Sequence, residues 1–466
     1  MISKKLAIEI LNLGLATGAD YAEIFYEDSS VYTLSIENGK VETSHNGIVN
    51  GVGIRLLKEL QSVYGYTCDL TKKGLTTLVN SLAASFSGER VLTVENLKIK
   101  RFKTINPINI DYDSVSKEEK ISLLKEGLDA IQGYDPRIVR TIASWADHHR
   151  NTVVYNSRGD IIKNNNQFAT AYYVVVGMAN GSIETGSMGP SCQRDIEFYK
   201  GKPINMKETA LEAAKKCVTL LDAKECPAGI MPVVLGNGWG GVLFHEACGH
   251  SLEASSVSKG LSCFSGKVGQ KIASSIVTAI DDSTIPNAWG SIDYDDEGIK
   301  GVKRVLIKNG VLQGYMVDAF NGRRMNAEPN GACRRQNFKY EPTSRMSNTY
   351  IAPGKHTKEE IIAATKLGLY CVGFNGGSVD PTTGQFNFAA SEAYIIRDGK
   401  IAEPVKGAIL VGKGEEILHK IDMVGNDLDF GQGHCGAASG SVRTQVGQPT
   451  LRISSITVGG RGGELK

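Results

Sequence analysis

Gly240-Gly241-Val242-Leu243-Phe244-His245-Glu246-Ala247-Cys248-Gly249-His250-Ser251-Leu252-Glu253-Ala254 sets two imidazoles around one carboxylate, directly after an apolar run. Neutral imidazole is a good zinc ligand, and a Glu beside a metal-activated water can take its proton. The spacing is H-E-x-x-x-H, one residue longer than H-E-x-x-H. At about 100° per residue, positions i and i+4 lie about 40° apart around an α-helix, whereas i and i+5 lie about 140° apart. His245 and His250 can therefore meet one ion only if a π-bulge or a break distorts the helix, and Gly249 makes that distortion cheap. In a regular helix they would be two histidines with ordinary hydrogen bonds.

Two His leave an ion short of ligands, because catalytic zinc usually takes three protein ligands and a water. Cys248, Glu253 and Cys435 are the candidates. Cys248 lies between the histidines and would point elsewhere if both bind. Glu253 follows His250 by three residues, which suits a shared helical face. Cys435 stands in Gly433-His434-Cys435-Gly436, read as a tight Gly-flanked turn that presents a thiolate. Spacing alone does not choose among them.

Just upstream, Gly236-Asn237-Gly238-Trp239-Gly240-Gly241 is a literal G-x-G-x-x-G between the strand Met231–Leu235 and the helix. The dinucleotide fingerprint also needs an acidic residue ending a second parallel strand about twenty residues on, and none stands there. The glycines are expected to let the helix start pack against a neighbouring strand. A nucleotide-dependent oxidoreductase is set aside on this ground.

The whole chain of 466 residues is too long for one compact core, so two to four domains are expected. It is 41% hydrophobic and 22% charged with net charge +2, a balance that argues against a dedicated nucleic-acid surface. Nine Cys with no C-x-x-C pair read as reduced thiols. The N-terminal run Lys4–Leu11 is interrupted by Glu9 and reads as an amphipathic helix, not an export signal. No apolar stretch approaches the ~20 residues of a membrane span. The expectation is a cytoplasmic protein.

The element pattern predicts an α+β fold in three parts: a first α+β unit over 1–100, a central α+β unit over 101–225, and a β-rich metal-binding region over 226–466. In the first, helices over 3–17 and 71–86 flank strands over 21–28, 31–37 and 50–66, with a hairpin turn at Glu37-Asn38-Gly39. A polar linker over 88–115 follows. The central unit repeats the order, with helices over 117–132 and 206–221 and strands over 137–157 and 168–180. Cys226-Pro227 opens the last region, whose strands Val302–Ile307, Val311–Asp318, Ala393–Arg397, Ala408–Val411 and Thr450–Val458 indicate antiparallel sheet.

The Gly240–Ala254 run resembles the TldD branch of the TldD/PmbA peptidases. The likeness continues through Asp281-Asp282, Trp289-Gly290-Ser291, Asp295-Asp296-Glu297-Gly298, Arg334-Arg335-Gln336, Arg345–Thr349 and Gly447–Ile453. It is strong over about 230–460 and weaker before that. The resemblance implies a zinc metallopeptidase in which His245, His250 and Cys435 hold one Zn2+ and Glu246 is the general base. It also implies unfolded or short peptides as substrates, and pairing with a related metal-less PmbA/TldE-like subunit or a second copy. His434 stands where the family often has Met.

Several residues are candidates for supporting roles. His434 and Glu253 are candidates for stabilising an oxyanion or holding a ligand in place. The acids Asp281, Asp282, Asp295, Asp296 and Glu297 would orient the imidazoles or form turns. Arg334 and Arg335 would hold a substrate carboxylate, bridge subunits, or lie solvated. The expected function is zinc-dependent peptide hydrolysis. The alternative is a non-catalytic binding or regulatory subunit.

Overall fold

The computed structural model describes residues 1–466 apart from Lys202 and Lys466. It is an α+β protein built on three large sheets and one two-stranded ribbon, Cys333–Arg334 with Thr343–Ser344. The first joins both N-terminal units. Its strands are β1 (Tyr21–Glu37), β2 (Lys40–Lys58), β3 (Gln61–Thr67), β4 (Lys98–Ile99), β5 (Ile138–Asn156), β6 (Asp160–Ala179), β7 (Ser182–Met188) and β8 (Ser191–Cys192), in the order β3-β2-β1-β5-β6-β4, with β7 and β8 also on β6. Where two strands are expected over 21–28 and 31–37, the chain runs straight through as β1, because its ladder with β5 is unbroken from Glu23 to Glu37. The run expected as one strand over 50–66 turns at Glu59, which adopts positive φ, and so divides into β2 and β3.

Four helices cover this sheet: α1 (Lys4–Gly14), α2 (Lys72–Ala83), α3 (Lys117–Ile131) and α4 (Met206–Asp222). Each starts where a side chain satisfies a free N–H, as Ser3 does for Leu6, Thr71 for Gly74, Ser116 for Glu119 and Asn205 for Lys207. Helices α1 and α2 bury Ala7, Ile10, Leu75 and Val79 against Ile24, Ile54 and Tyr155. Helices α3 and α4 bury Leu124, Ala210 and Ala214 against Trp145 and Tyr173 at the other end of the same long strands.

The opposite side of the sheet carries Phe25, Val154 and Ile162, which pack on Phe338 of the C-terminal region. A buried charge network ties the same contact. Arg55 pairs with Glu23 at 2.8 Å and Glu297 at 2.5 Å, and Arg335 pairs with Glu23 at 2.5 Å. Breaking such a pair from one side leaves a desolvated charge and costs about 3–5 kcal/mol. The N-terminal sheet is thereby fixed to the segment that carries the site's supporting residues.

The C-terminal region contains an eight-stranded sheet centred on Gly229–Leu235 and Leu451–Gly459, and a six-stranded sheet that includes Asn348–Ile351, Asp429–Ala437 and Gly440–Gln448. Most pairs are antiparallel, although Gly229–Leu235 with Leu367–Asp380 and Asn348–Ile351 with Gly440–Gln448 run parallel. The expected strand Val311–Asp318 is paired only at Val311–Leu312. Cys435 does not sit in a turn as expected. It lies inside the Asp429–Ala437 strand, paired with Val442, and the turn comes after it. Glycines at 431, 433 and 436 look like turn signals in sequence, yet Gly431 and Gly433 are explained by Trp239, which approaches to 2.6 and 2.8 Å of where their Cβ atoms would be. No helix among the described residues is long and apolar enough to cross a membrane.

Candidate metal centre

The helix that follows Gly229–Leu235 runs into the core shared by the two C-terminal sheets. Val242, Leu243, Phe244, Ala247, Cys248 and Leu252 are all buried there. Its glycine-rich start is a packing device. A Cβ at Gly236 would lie 2.8 Å from the Val372 carbonyl, and one at Gly241 would lie 2.5 Å from the Gly447 nitrogen.

Regular helix lasts only through Val242–Phe244. Residues His245–Gly249 then form a π-turn, in which His250 N–H donates to the His245 carbonyl, and His250–Leu252 close as a 3₁₀ turn. The extra residue per turn brings i and i+5 onto one side, as the spacing demanded. Gly249 has ordinary helical φ and ψ of −53° and −53°, so flexibility is not its role. Its missing side chain makes room for Met346, whose Sδ would stand 2.3 Å from a Cβ.

His245, His250 and Cys435 converge, with their ligand atoms all within 4.8 Å of one another. Cys435 Sγ is 3.3 Å from each Nε2. The imidazole rings stand edge to face, 4.8 Å apart and at 84°. Tetrahedral zinc with ordinary Zn–N and Zn–S lengths separates N and S by about 3.5 Å, so this donor set fits one such ion. Burial alone would push the Cys435 thiol up, but His245 and His250 bring it well below its ordinary value. His250 is shifted the other way: burial opposes its charge, while Glu253 and Cys435 raise it well above the usual imidazole range. The three groups thus favour a thiolate held by imidazoles.

Glu253 is not on the cluster itself. Its Oε2 meets Nδ1 of His250 at 3.3 Å, which fixes the ring so that Nε2 faces Cys435. Its other oxygen is 3.8 Å from Nε of Arg345. Glu246 is buried beside His245 without a hydrogen bond or ion pair among the described residues, and Gly377 stands where a Cβ would be 3.4 Å from its Cγ. Cys248 turns into the apolar core instead, where burial raises its thiol well above the ordinary value.

The remaining candidates lie elsewhere. Strand alternation turns His434 away from Cys435 to pack edge-on against Trp289, with ring centres 5.7 Å apart. The acidic pairs do not reach the imidazoles. Asp281 accepts from Ser347, Thr349 and Arg304; Asp295 accepts from the backbone of Glu297, Ile299 and Cys333; Asp296 accepts from Arg335 N; Glu297 holds Arg55 and Ala319 N. Asp282 accepts from Thr284. They act as loop and β-strand anchors because backbone N–H groups and arginines lie nearer than the histidines. Arg334 and Arg335 are 5% and 1% exposed, so the solvated reading is overturned. Sequence reasoning gave no role to Arg345, whose reach to Cys435 spans 90 positions and leaves no local signal.

Comparisons with known proteins agree with this architecture. Residues 228–460 match the PmbA/TldA metallopeptidase C-terminal domain, 22–85 its domain 1 and 110–221 its central domain. The chain belongs to the PmbA/TldD metallopeptidase family. It is 35% identical to the metalloprotease TldD homolog of Haemophilus influenzae, covering 98% of this chain and 97% of that one. It is 26% identical to the zinc metalloprotease TldD homolog of Saccharolobus solfataricus, over 95% and 97% of the two chains. The crystal structure of TldE from Thermococcus kodakarensis superposes with a TM-score of 0.76 at 20% identity, covering 97% of this chain and 99% of that one, which is a likeness of fold.

Proposed function

We propose that this protein is a zinc-dependent peptidase acting on unfolded or short peptides. The observation that carries the reading is the convergence of His245, His250 and Cys435 around one point, with both Nε2 atoms 3.3 Å from Sγ. These three residues would hold a zinc ion, which would supply Lewis acidity toward a carbonyl and a water.

Around that ion the chain's own groups divide the work. Glu246, buried and uncommitted, takes the proton of the attacking water and delivers it to the leaving amine. Glu253 keeps the His250 ring in its ligating orientation. The neighbouring Leu367–Asp380 strand loses register at Gly373, Phe374 and Gly377, and Gly377 lies beside Glu246; an extended peptide would pair with the main chain at this irregular stretch. Backbone recognition of this kind suits a broad range of sequences and rejects folded proteins, whose main chain is already paired. The S. solfataricus relative's name supports zinc, and the partner would be a related metal-less subunit or a second copy of this chain. A cytoplasmic location goes with these substrates.

The test is metal content measured beside peptide hydrolysis. The purified chain is expected to hold about one zinc. Glu246→Gln should keep the metal and lose hydrolysis by about 10²–10⁴-fold. Cys435→Ser should lose metal and activity together, because a hydroxyl replaces a thiolate poorly. A wild-type chain without metal and without activity would instead favour a non-catalytic binding or regulatory subunit.

A further inference from the structure

On the far side of the strand pair that carries Cys435 lies a cavity of about 290 Å³. Residues alternate across this ribbon, so Cys435 faces the metal cluster while the neighbouring His434 and its cross-strand partner Arg443 face the cavity. Four arginines line it: Arg150, Arg334, Arg335 and Arg443. Two of them are matched by carboxylates. Arg150 lies 3.2 Å from Glu27 and 3.7 Å from Asp296, and Arg335 pairs with Glu23 at 2.5 Å.

Arg334 and Arg443 are not matched. Among the described residues neither has a carboxylate in ion-pair contact. Arg334, 5% exposed, donates Nη1 to the Met346 carbonyl at 2.6 Å. Arg443 has one long hydrogen bond, 3.4 Å from Nε to the Trp289 carbonyl, and its guanidinium lies 3.3 Å from the centre of the Phe168 ring. Stacking holds the group flat and still without neutralising it. Burying a charge costs several kcal/mol unless something pairs with it. The strain shows in the acidities. Burial, with Arg345 and Arg150 nearby, pushes Arg334 down to about 10 although Asp296 in the cavity wall opposes this; burial, with Arg150 and Arg334 nearby, brings Arg443 well below its ordinary value against the opposing pull of Asp296 and Glu27.

We propose that this cavity binds a small dianionic oxyanion, of the phosphate or dicarboxylate class, between Arg334 and Arg443. Two unmatched guanidinium forks call for two negative charges on several acceptor oxygens, and each fork can take two of those oxygens side by side. Thr152, Asn164, Asn166 and Gln336 add hydroxyl and amide groups to the wall. The volume is close to the ~300 Å³ at which small-molecule sites begin. This site is separate from the metal cluster and does not depend on its chemistry.

Calorimetric titration of the full chain with inorganic phosphate, and separately with succinate, at constant ionic strength set by chloride, tests the proposal. One or both anions should bind the wild type, and the tighter of the two identifies the source. Arg443→Met should weaken binding at least tenfold. It should also leave the thermal midpoint unchanged or higher in anion-free buffer, because it removes a partly buried charge that has no carboxylate in ion-pair contact. Ser441→Asp places a carboxylate two residues along the same strand face from Arg443, and should likewise block binding without removing any arginine. Absence of binding by both anions at 10-fold molar excess over about 1 mM would overturn the proposal, as would binding that both variants retain.

Discussion

Arg345 donates through its guanidinium to the main-chain carbonyl of Cys435, a contact that ties the ligand strand to the loop after the arginines. The same side chain donates to Ser439 Oγ at 3.0 Å and the Gly440 carbonyl at 2.8 Å, and stands 3.8 Å from Glu253. One buried cation therefore braces the cysteine from behind and the carboxylate that orients His250.

Arg345→Met should consequently destabilise the fold by about 3 kcal/mol, since Glu253 and three acceptors lose their buried partner. Glu253→Gln is milder. It keeps the shape but loses the carboxylate on His250, and zinc affinity should fall about 10–100-fold with little change in unfolding midpoint. Competition with a chromogenic chelator measures the first quantity and denaturant titration the second. Equal zinc affinity in Glu253→Gln and wild type would remove the orienting role.

Gly249→Ala should destabilise by about 1–3 kcal/mol, because its Cβ meets Met346 Sδ at 2.3 Å. Its helical φ makes steric contact, and not backbone freedom, the cause. Shortening the obstacle in a Gly249→Ala, Met346→Ala double variant should then cost less than the sum of the two single changes. Additive losses by denaturant titration would show that contact with Met346 is not the reason for glycine.

His148 provides a pH dependence away from the metal ligands. Burial, with Arg443 and Arg150 nearby, pushes its imidazole down to about 3. In the unfolded chain it takes a proton near pH 6.5, so acid favours the unfolded state as pH drops below that value. Stability present at pH 7 should fall by about 1 kcal/mol at pH 5.5 from this residue alone. His148→Phe, which keeps the edge-on contact with Phe168, should flatten that part of the profile. An unchanged slope between pH 7 and 5.5, in phosphate-free buffer, would contradict the assignment.

Substrate form should decide cleavage. A single test protein, offered folded, unfolded and as short fragments, should be cut only in the last two states. The cleaving species should be an assembly and not a monomer. Efficient cleavage of the rigid folded form, or full activity in a monomer fraction from gel filtration, would refute this mode of recognition.

The sequence by itself determined the α+β class, the four N-terminal helices and the need for a distorted helix at His245–His250. These follow from local rules: residue period, capping side chains and the angle between i and i+5. It also marked Gly236–Gly241 as a close-packed helix start. Only the tertiary structure decided that β1 and β5 join the N-terminal units in one sheet, and that Cys435 lies within a strand. It alone put Arg345 behind Cys435, left Arg334 and Arg443 unmatched and gave the acidic pairs to arginines and backbone N–H groups. Those outcomes depend on long-range sheet pairing and on which charges are desolvated together, neither of which leaves a mark in neighbouring residues.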